Sequence, residues 1–323
     1  MNAIVGAGEF RYQVEDEWGR LPEHWSFDEV AAVAVDRRDN VYVFNRGEHP
    51  MIVFDRTGGF LRSWGESLFV RAHGLHFGPD ELLYCTDTGD HTVRKCTLDG
   101  KVLLTIGTPG KPAPFMSGRP HCRCTHSALS PKGDIYVTDG YGNARVHKYS
   151  PDGRLLFSWG EAGTDPGQFN VPHNIWCDND GWVFVCDREN HRIQVFGGDG
   201  KYETQWNNLH RPMALSVPHG ACPYCFIAEA GPELDVNLAF PNLGPRITIA
   251  DRKGKPIARL GGLHAGHKPG YFVAPHGIAV DSVSDLYVAE VTRSAWARTF
   301  PGVPVAEKLR TLQKLVHIED QKT

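Results

Sequence analysis

Between Val171 and Phe196 the chain reads VPHNIWCDNDGWVFVCDRENHRIQVF, and its apolar positions alternate in short bursts broken by polar corners. A period of two marks half-buried strands, and Asn179-Asp180-Gly181 between two such bursts is a tight-turn signal. Antiparallel strands paired about that turn are therefore predicted, with Arg192-Ile193-Gln194-Val195-Phe196 opening a third. The pairing sets His173, at the start of one strand, beside Arg188, at the end of the next.

The same plan recurs along the chain. Segments near 30–65, 72–107, 125–160, 171–206, 211–261 and 275–300 each begin with a short apolar strand and a turn rich in Asp, Asn and Gly. A second strand then closes on Asp, Asn or Glu, and a third and often a fourth follow, the last ending in Trp-Gly or Ile-Gly. A spacing of roughly 40 to 60 residues is that of four-stranded propeller blades. The fold class predicted is all-β, a six-bladed β-propeller in a single domain over 1–323. The fifth segment is the least regular, with a Pro/Gly-rich insertion after Ala228. The sixth shows only two clear strands, and residues 10–19 are worded like an outermost strand, so an N-terminal strand is expected to close the ring. Over 305–316, Leu309, Leu312 and Leu315 have helical spacing, which predicts a C-terminal helix packed on the outside.

Composition narrows the function classes. With 35 Gly and 22 Pro in 323 residues, frequent turns are favoured over long helices. A formal charge of -4 with no basic block argues against nucleic acid or an anionic membrane as partner. No apolar run is long enough to span a bilayer, and MNAIVGAGEFRYQ lacks a charged n-region and a long apolar stretch, so a soluble, cytoplasmic protein is expected. Nothing in the pattern sets an oligomeric state. Of eight cysteines, Cys85, Cys96, Cys177 and Cys186 fall in strand-like runs as small buried residues. Cys122-x-Cys124 and Cys222-x-x-Cys225 fall in loops, where a structural zinc is an alternative to plain packing.

The repeat also aligns chemistry. Residues just before the first strand of each blade, and residues just after the second, come to one mouth of a propeller. His73, His173 and His276 hold the first position in blades two, four and six, where three imidazoles leave a metal such as Zn²⁺ an open coordination site. The competing reading is that histidine caps this corner, and His126 in blade three keeps it open. Arg46, Tyr141 and Arg188 hold the second position in blades one, three and four. Solvated arginines and a loop-packed tyrosine are the plainer account of each taken alone.

In Asn45-Arg46-Gly47-Glu48-His49, Asp139-Gly140-Tyr141-Gly142-Asn143-Ala144-Arg145, Val171-Pro172-His173 with Asp187-Arg188-Glu189-Asn190, and His73 with Pro275-His276-Gly277, the chain resembles NHL repeats and, among them, peptidyl-α-hydroxyglycine amidating lyases. The resemblance implies a zinc held by His73, His173 and His276, Tyr141 as the catalytic tyrosine, and Arg46 and Arg188 on the substrate. His126 is a further substrate-side candidate and a second candidate for moving the proton. Two positions depart from the animal enzymes. Gly277 replaces an acid linked to a structural calcium, which puts calcium in doubt, and Gly142 replaces a disulfide-bonded cysteine. The activity implied is C–N cleavage of a carbinolamide, giving an amide and an aldehyde such as glyoxylate, with the substrate a peptide or a smaller molecule. A non-catalytic NHL propeller binding protein or RNA is the alternative. A calcium-dependent lactonase would need carboxylates where this chain has histidines.

Overall fold

The alternating bursts do pair. The computed structural model describes residues 3–15, 17–218 and 222–319. Among these the strands form six antiparallel sheets, the blade organisation of a six-bladed β-propeller, and the fold class is all-β. The chain divides into two compact units, Trp64–Val217 and Met1–Ser63 with Pro218–Thr323.

Trp64–Val217 carries three complete four-stranded sheets. Their strands are Ala72–Phe77, Leu83–Asp87, Thr92–Cys96 and Val102–Ile106; His126–Leu129, Ile135–Asp139, Arg145–Tyr149 and Leu155–Trp159; and Pro172–Cys177, Val183–Asp187, Arg192–Phe196 and Tyr202–Trp206. The strand Pro212–Ser216 follows. Second strands are buried on both faces and fourth strands are half exposed, as Leu83–Asp87 and Val102–Ile106 illustrate. Apolar side chains fill the space between consecutive sheets: Ala128, Tyr136 and Val146 pack with Ile175, Val183, Val185 and Phe196. At about 25 cal/mol per Å² of apolar surface, this face-to-face burial is what holds sheet to sheet.

The other unit contains the sheet Val30–Val35, Val41–Asn45, Met51–Phe54, Phe60–Trp64 and the strands Tyr224–Glu229, Arg246–Asp251 and Pro256–Leu260. It also contains a five-stranded sheet, in the order Ile4–Ala7, Phe10–Glu15, Leu312–His317, Leu286–Glu290, Pro275–Val280. The N-terminal strand joins the last sheet as expected and ends at Glu15; Asp16, within the expected 10–19, lies outside the described residues. It joins through a strand in the segment whose leucine spacing predicts a helix. No helix forms over 305–316, and Leu312–His317 is a strand paired on both sides, with Leu315 opposite Val14 and Leu286. Leucines three apart satisfy helical spacing, but two open sheet edges offered this segment a full set of backbone partners, and the non-local pairing won. The helix of this region lies earlier, at Thr292–Thr299. Among the described residues no helix is long and apolar enough to cross a membrane.

One device repeats at the end of five of the second strands. Asp87 accepts the backbone N–H groups of Val70 (2.6 Å) and Arg71 (2.9 Å), just ahead of the first strand of its own sheet. Asp187 does the same for Asn170 (2.7 Å), Asp139 for Cys122 (2.9 Å), Glu290 for Val273 (2.7 Å), and Asn45 through Oδ1 for Glu29 (3.2 Å). A buried acceptor tied to backbone donors fixes where the first strand of its own sheet begins, because leaving either partner unpaired costs about 1–3 kcal/mol.

In the unit Trp64–Val217, Asp139 also holds a buried histidine, with a second close by. His147 Nε2 lies 3.3 Å from its carboxylate, and the His121 ring, tilted 55° to that of His147 at 5.6 Å between centroids, pairs with Tyr149 Oη at 3.0 Å. Burial pulls His121 down to about 4, with Asp139 opposing in part. The folded state thus keeps this ring neutral where the unfolded chain, with its ordinary value of 6.5, takes up a proton. Its contribution is full above about 6.5 and is lost progressively as pH falls towards 4, a loss on the order of 3 kcal/mol. Urea unfolding followed across pH 7 to 4 should show this decline, and it should flatten in His121→Gln; an equal slope in the variant would assign the decline to other groups.

Candidate active site

The first strands hold the candidate ligands at a local defect. Ala72 pairs with Asp87 and Gly74 with Thr86, so His73 is the extra residue of a β-bulge. His173, between the pairs Pro172–Asp187 and Asn174–Cys186, and His276, between Pro275–Glu290 and Gly277–Ala289, stand at the same bulge. A bulge re-aims one side chain without disturbing the ladder on either side. Each of the three rings is buried, and each spends Nδ1 on a backbone carbonyl: His73 on Thr125 (2.6 Å), His173 on Met213 (2.7 Å), His276 on Ala31 (2.7 Å). A carbonyl only accepts, so each Nδ1 carries the proton and each Nε2 keeps its lone pair. That is the tautomer and the outer contact of a metal-binding histidine.

His126 does not share this position. It pairs with Thr138 in an unbroken ladder, as Gly74 pairs with Thr86 in the preceding sheet, and Thr125 occupies the residue that corresponds to His73. The one-residue offset turns its ring elsewhere. It is buried against Gly74, its Nδ1 has no partner among the described residues, and burial pulls its pKa to about 4.

In the unit Trp64–Val217, Tyr141 joins two of the histidines. Its Oη lies 3.0 Å from Nε2 of His73 and 3.0 Å from Nε2 of His173, and the imidazole centroids are 4.9 Å apart. A ring nitrogen of each can be offered to one point, the two lying within 4.8 Å of one another. With both Nδ1 atoms already donating, the two Nε2 atoms can only accept, and the phenol has one proton for both. The two Nε2 atoms and the phenol are therefore one donated proton short of satisfying both rings.

Arg188 stands beside this group, Nη1 at 3.4 Å from Tyr141 Oη and Cζ 5.5 Å from the ring centroid. Glu189 holds it through Nε (2.6 Å) and takes Arg211 as well (3.0 Å). Burial works against the charge on Arg188, but Tyr141 and Glu189 outweigh it and leave Arg188 above its ordinary value. Glu189 is likewise held below the usual carboxylate range, its burial offset by Arg211 and Arg188. A second guanidinium, Arg123, lies 5.5 Å from the Tyr141 ring centroid. Glu189, Arg211 and Arg123 were missed as site residues. Glu189 adjoins Arg188 in the repeat corner, a readable signal, whereas Arg123 sits inside a Cys-x-Cys pair that drew attention to thiols.

In the other unit, Arg46 stands just after its second strand as predicted and is committed to Glu29, Nη1 to Oε2 at 2.8 Å, with Ser294 donating to the same carboxylate. The two departures from the lyase pattern have steric causes. A Cβ on Gly277 would sit 2.9 Å from Ala32 Cα, so the strand packing leaves no room for an acid. A Cβ on Gly142 would meet Cys122 Sγ at 2.2 Å and Cys122 O at 2.4 Å.

Residues 169–196 match the NHL repeat family. NHL repeat-containing protein 3 of Mus musculus is 33% identical over 305 residues, covering 87% of this chain and 83% of that protein. Peptidyl-alpha-hydroxyglycine alpha-amidating lyase 1 of Drosophila melanogaster is 28% identical over 306 residues, covering 81% of this chain. The chain spans only 55% of that lyase's length. A solved structure titled "Streptogramin B lyase structure" superposes with a TM-score of 0.57 at 13% identity, covering 94% of this chain and 85% of that one, which is a likeness of fold.

The proton placement is directly measurable. Nitrogen-15 NMR of the imidazoles should show the Nδ1–H tautomer for His73, His173 and His276, the reverse of the usual solution preference. Nε2–H signals from these three would mean that the carbonyl contacts do not set the rings.

Proposed function

Because this chain belongs to the NHL-repeat family, we propose that it is a metal-dependent carbon–nitrogen lyase, splitting an N-α-hydroxyalkyl amide that bears a carboxylate into an amide and an aldehyde acid such as glyoxylate. The observation that carries the reading is the Tyr141 hydroxyl set between two Nδ1-protonated histidines with Arg188 beside it. The similarity to the fly amidating lyase supports the reaction class.

On this reading His73, His173 and His276 hold Zn²⁺ or a divalent ion of similar preference through Nε2; the equivalence of their bulges and carbonyl contacts supports the set. A metal there supplies a Lewis acid for substrate oxygen. Tyr141 Oη, acting as the phenolate, takes the proton of the carbinol hydroxyl. The C–O bond gains double-bond character, the C–N bond breaks, and the same Oη returns the proton to the departing nitrogen. No water is consumed, and the tyrosine ends as it began. Arg188 offers a planar fork to the carboxylate, with Arg46 proposed as its counterpart, and these contacts orient the bond that breaks. His126, one residue off the bulge and buried, is proposed only as a secondary contact to substrate. A cytoplasmic location fits eight cysteines among which no disulfide forms in the described residues.

A second reading, a binding propeller without catalysis, draws on the higher identity to the mouse NHL repeat-containing protein. Aldehyde release from N-acyl-α-hydroxyglycines by the zinc-loaded protein separates the two. The lyase reading expects turnover in the parent, and a fall of about 10²–10⁴-fold in kcat for Tyr141→Phe with fold and metal content retained. Arg188→Lys should lose turnover well beyond the effect of a surface substitution, because an ammonium keeps the charge without the fork. No aldehyde from any member of a substrate panel would overturn the reading; near-parental rates in Tyr141→Phe would move the proton transfer to another group.

A further inference from the structure

The repeat builds one corner twice, and the two copies differ in a way that exposes a charge. Two residues ahead of the bulge position of the next sheet stands an arginine in the left-handed backbone region, Arg123 (φ 65°) before Thr125 and Arg211 (φ 55°) before Met213. Each donates its backbone N–H to Nδ1 of a histidine in the preceding sheet's corner: Arg123 to His91 at 3.1 Å, Arg211 to His191 at 3.2 Å. Those histidines lie four residues after Asp87 and Asp187 and share the same left-handed backbone, φ 60° and 56°. Residues other than glycine take this region at a cost, so a doubled use of it with arginine is a built feature.

The corners part at one position. Two residues after Asp187 stands Glu189, which binds the Arg211 guanidinium. Two residues after Asp87 stands Gly89, which has no carboxylate to offer. The Arg123 guanidinium makes no hydrogen bond or ion pair among the described residues, is exposed, and lies over the ring of Tyr141. Its backbone carbonyl also accepts Tyr141 N–H at 3.4 Å, which ties the two residues together. Arg188 and Arg211 therefore share the carboxylate of Glu189, while Arg123, over the phenol ring, has no carboxylate partner among the described residues.

We infer that Arg123 is a specificity-determining residue that binds a second anionic group on the substrate, distinct from the carboxylate taken by Arg188. Resting on the lyase reading, the substrate is then a dianion: an α-hydroxyalkyl amide whose amide-retaining half carries an acid. The position of Arg123 at the exposed side of Tyr141 suits a group that stays on the leaving amide.

The test compares N-acetyl- and N-succinyl-α-hydroxyglycine as substrates of the zinc-loaded full chain, for the parent, Arg123→Gln and Arg123→Glu. The parent should favour the succinyl compound by about tenfold in kcat/KM, mainly through KM, and less so at high salt. The ratio should approach one in Arg123→Gln and invert in Arg123→Glu. Calorimetric titration with succinate and with its monomethyl ester gives a readout independent of turnover: the parent should favour succinate, and Arg123→Gln should lose that preference. If neither substrate is cleaved while the calorimetric preference behaves as stated, the lyase reading falls and the anion site stands. If the calorimetric preference is missing in the parent or survives in Arg123→Gln, the role of Arg123 is overturned, whatever the turnover.

Discussion

A carboxylate or amide buried at the end of five of the second strands, holding backbone N–H groups of its own sheet's entry loop, is the interaction on which the rest depends. Asp87, Asp139, Asp187, Glu290 and Asn45 each stand there. Each is out of water and can be stable only if its acceptors are filled, so the entry loop is held in one place. That loop delivers the bulge, and the bulge delivers the histidine. Had these acceptors been exposed, the loops would be free to shift and the bulge histidines would have no fixed orientation. The pattern that organises the fold is therefore the pattern that organises the chemistry.

The proton inventory carries that order one step further. Backbone carbonyls of Thr125, Met213 and Ala31 choose the histidine tautomer, and the tautomer decides that each Nε2 is an acceptor. Acceptors gathered around one phenol ask for positive charge. Arg188, fixed by Glu189, supplies part of it from the side. A site whose donors and acceptors do not balance by themselves is one whose balance is completed by what it binds.

Much of this was legible in the sequence because it is repetitive. Strand alternation, the acid closing each second strand and the corner positions of His73, His173, His276, Arg46, Tyr141 and Arg188 all follow from superposing the repeats. What failed was what repetition does not encode. Leu312–His317 departs from the plan, and its leucine spacing suits a helix as well as a strand; only the open edges of two distant strands decide between them. His126 looked equivalent to the other histidines because a bulge shifts register by one residue, and bulges leave no local signature in a sequence. Glu189 and Arg123 needed side-chain geometry, since their meaning lies in which partner each has.

The proposal that the bulge histidines bind a metal is tested most directly by X-ray absorption of the zinc-loaded protein, with metal counted per chain. The account predicts one zinc per chain with three imidazole nitrogens at about 2.0–2.1 Å, and a loss of one nitrogen shell member with much weaker retention in His276→Ala. Zinc retained at full stoichiometry with an unchanged nitrogen shell in that variant would contradict it.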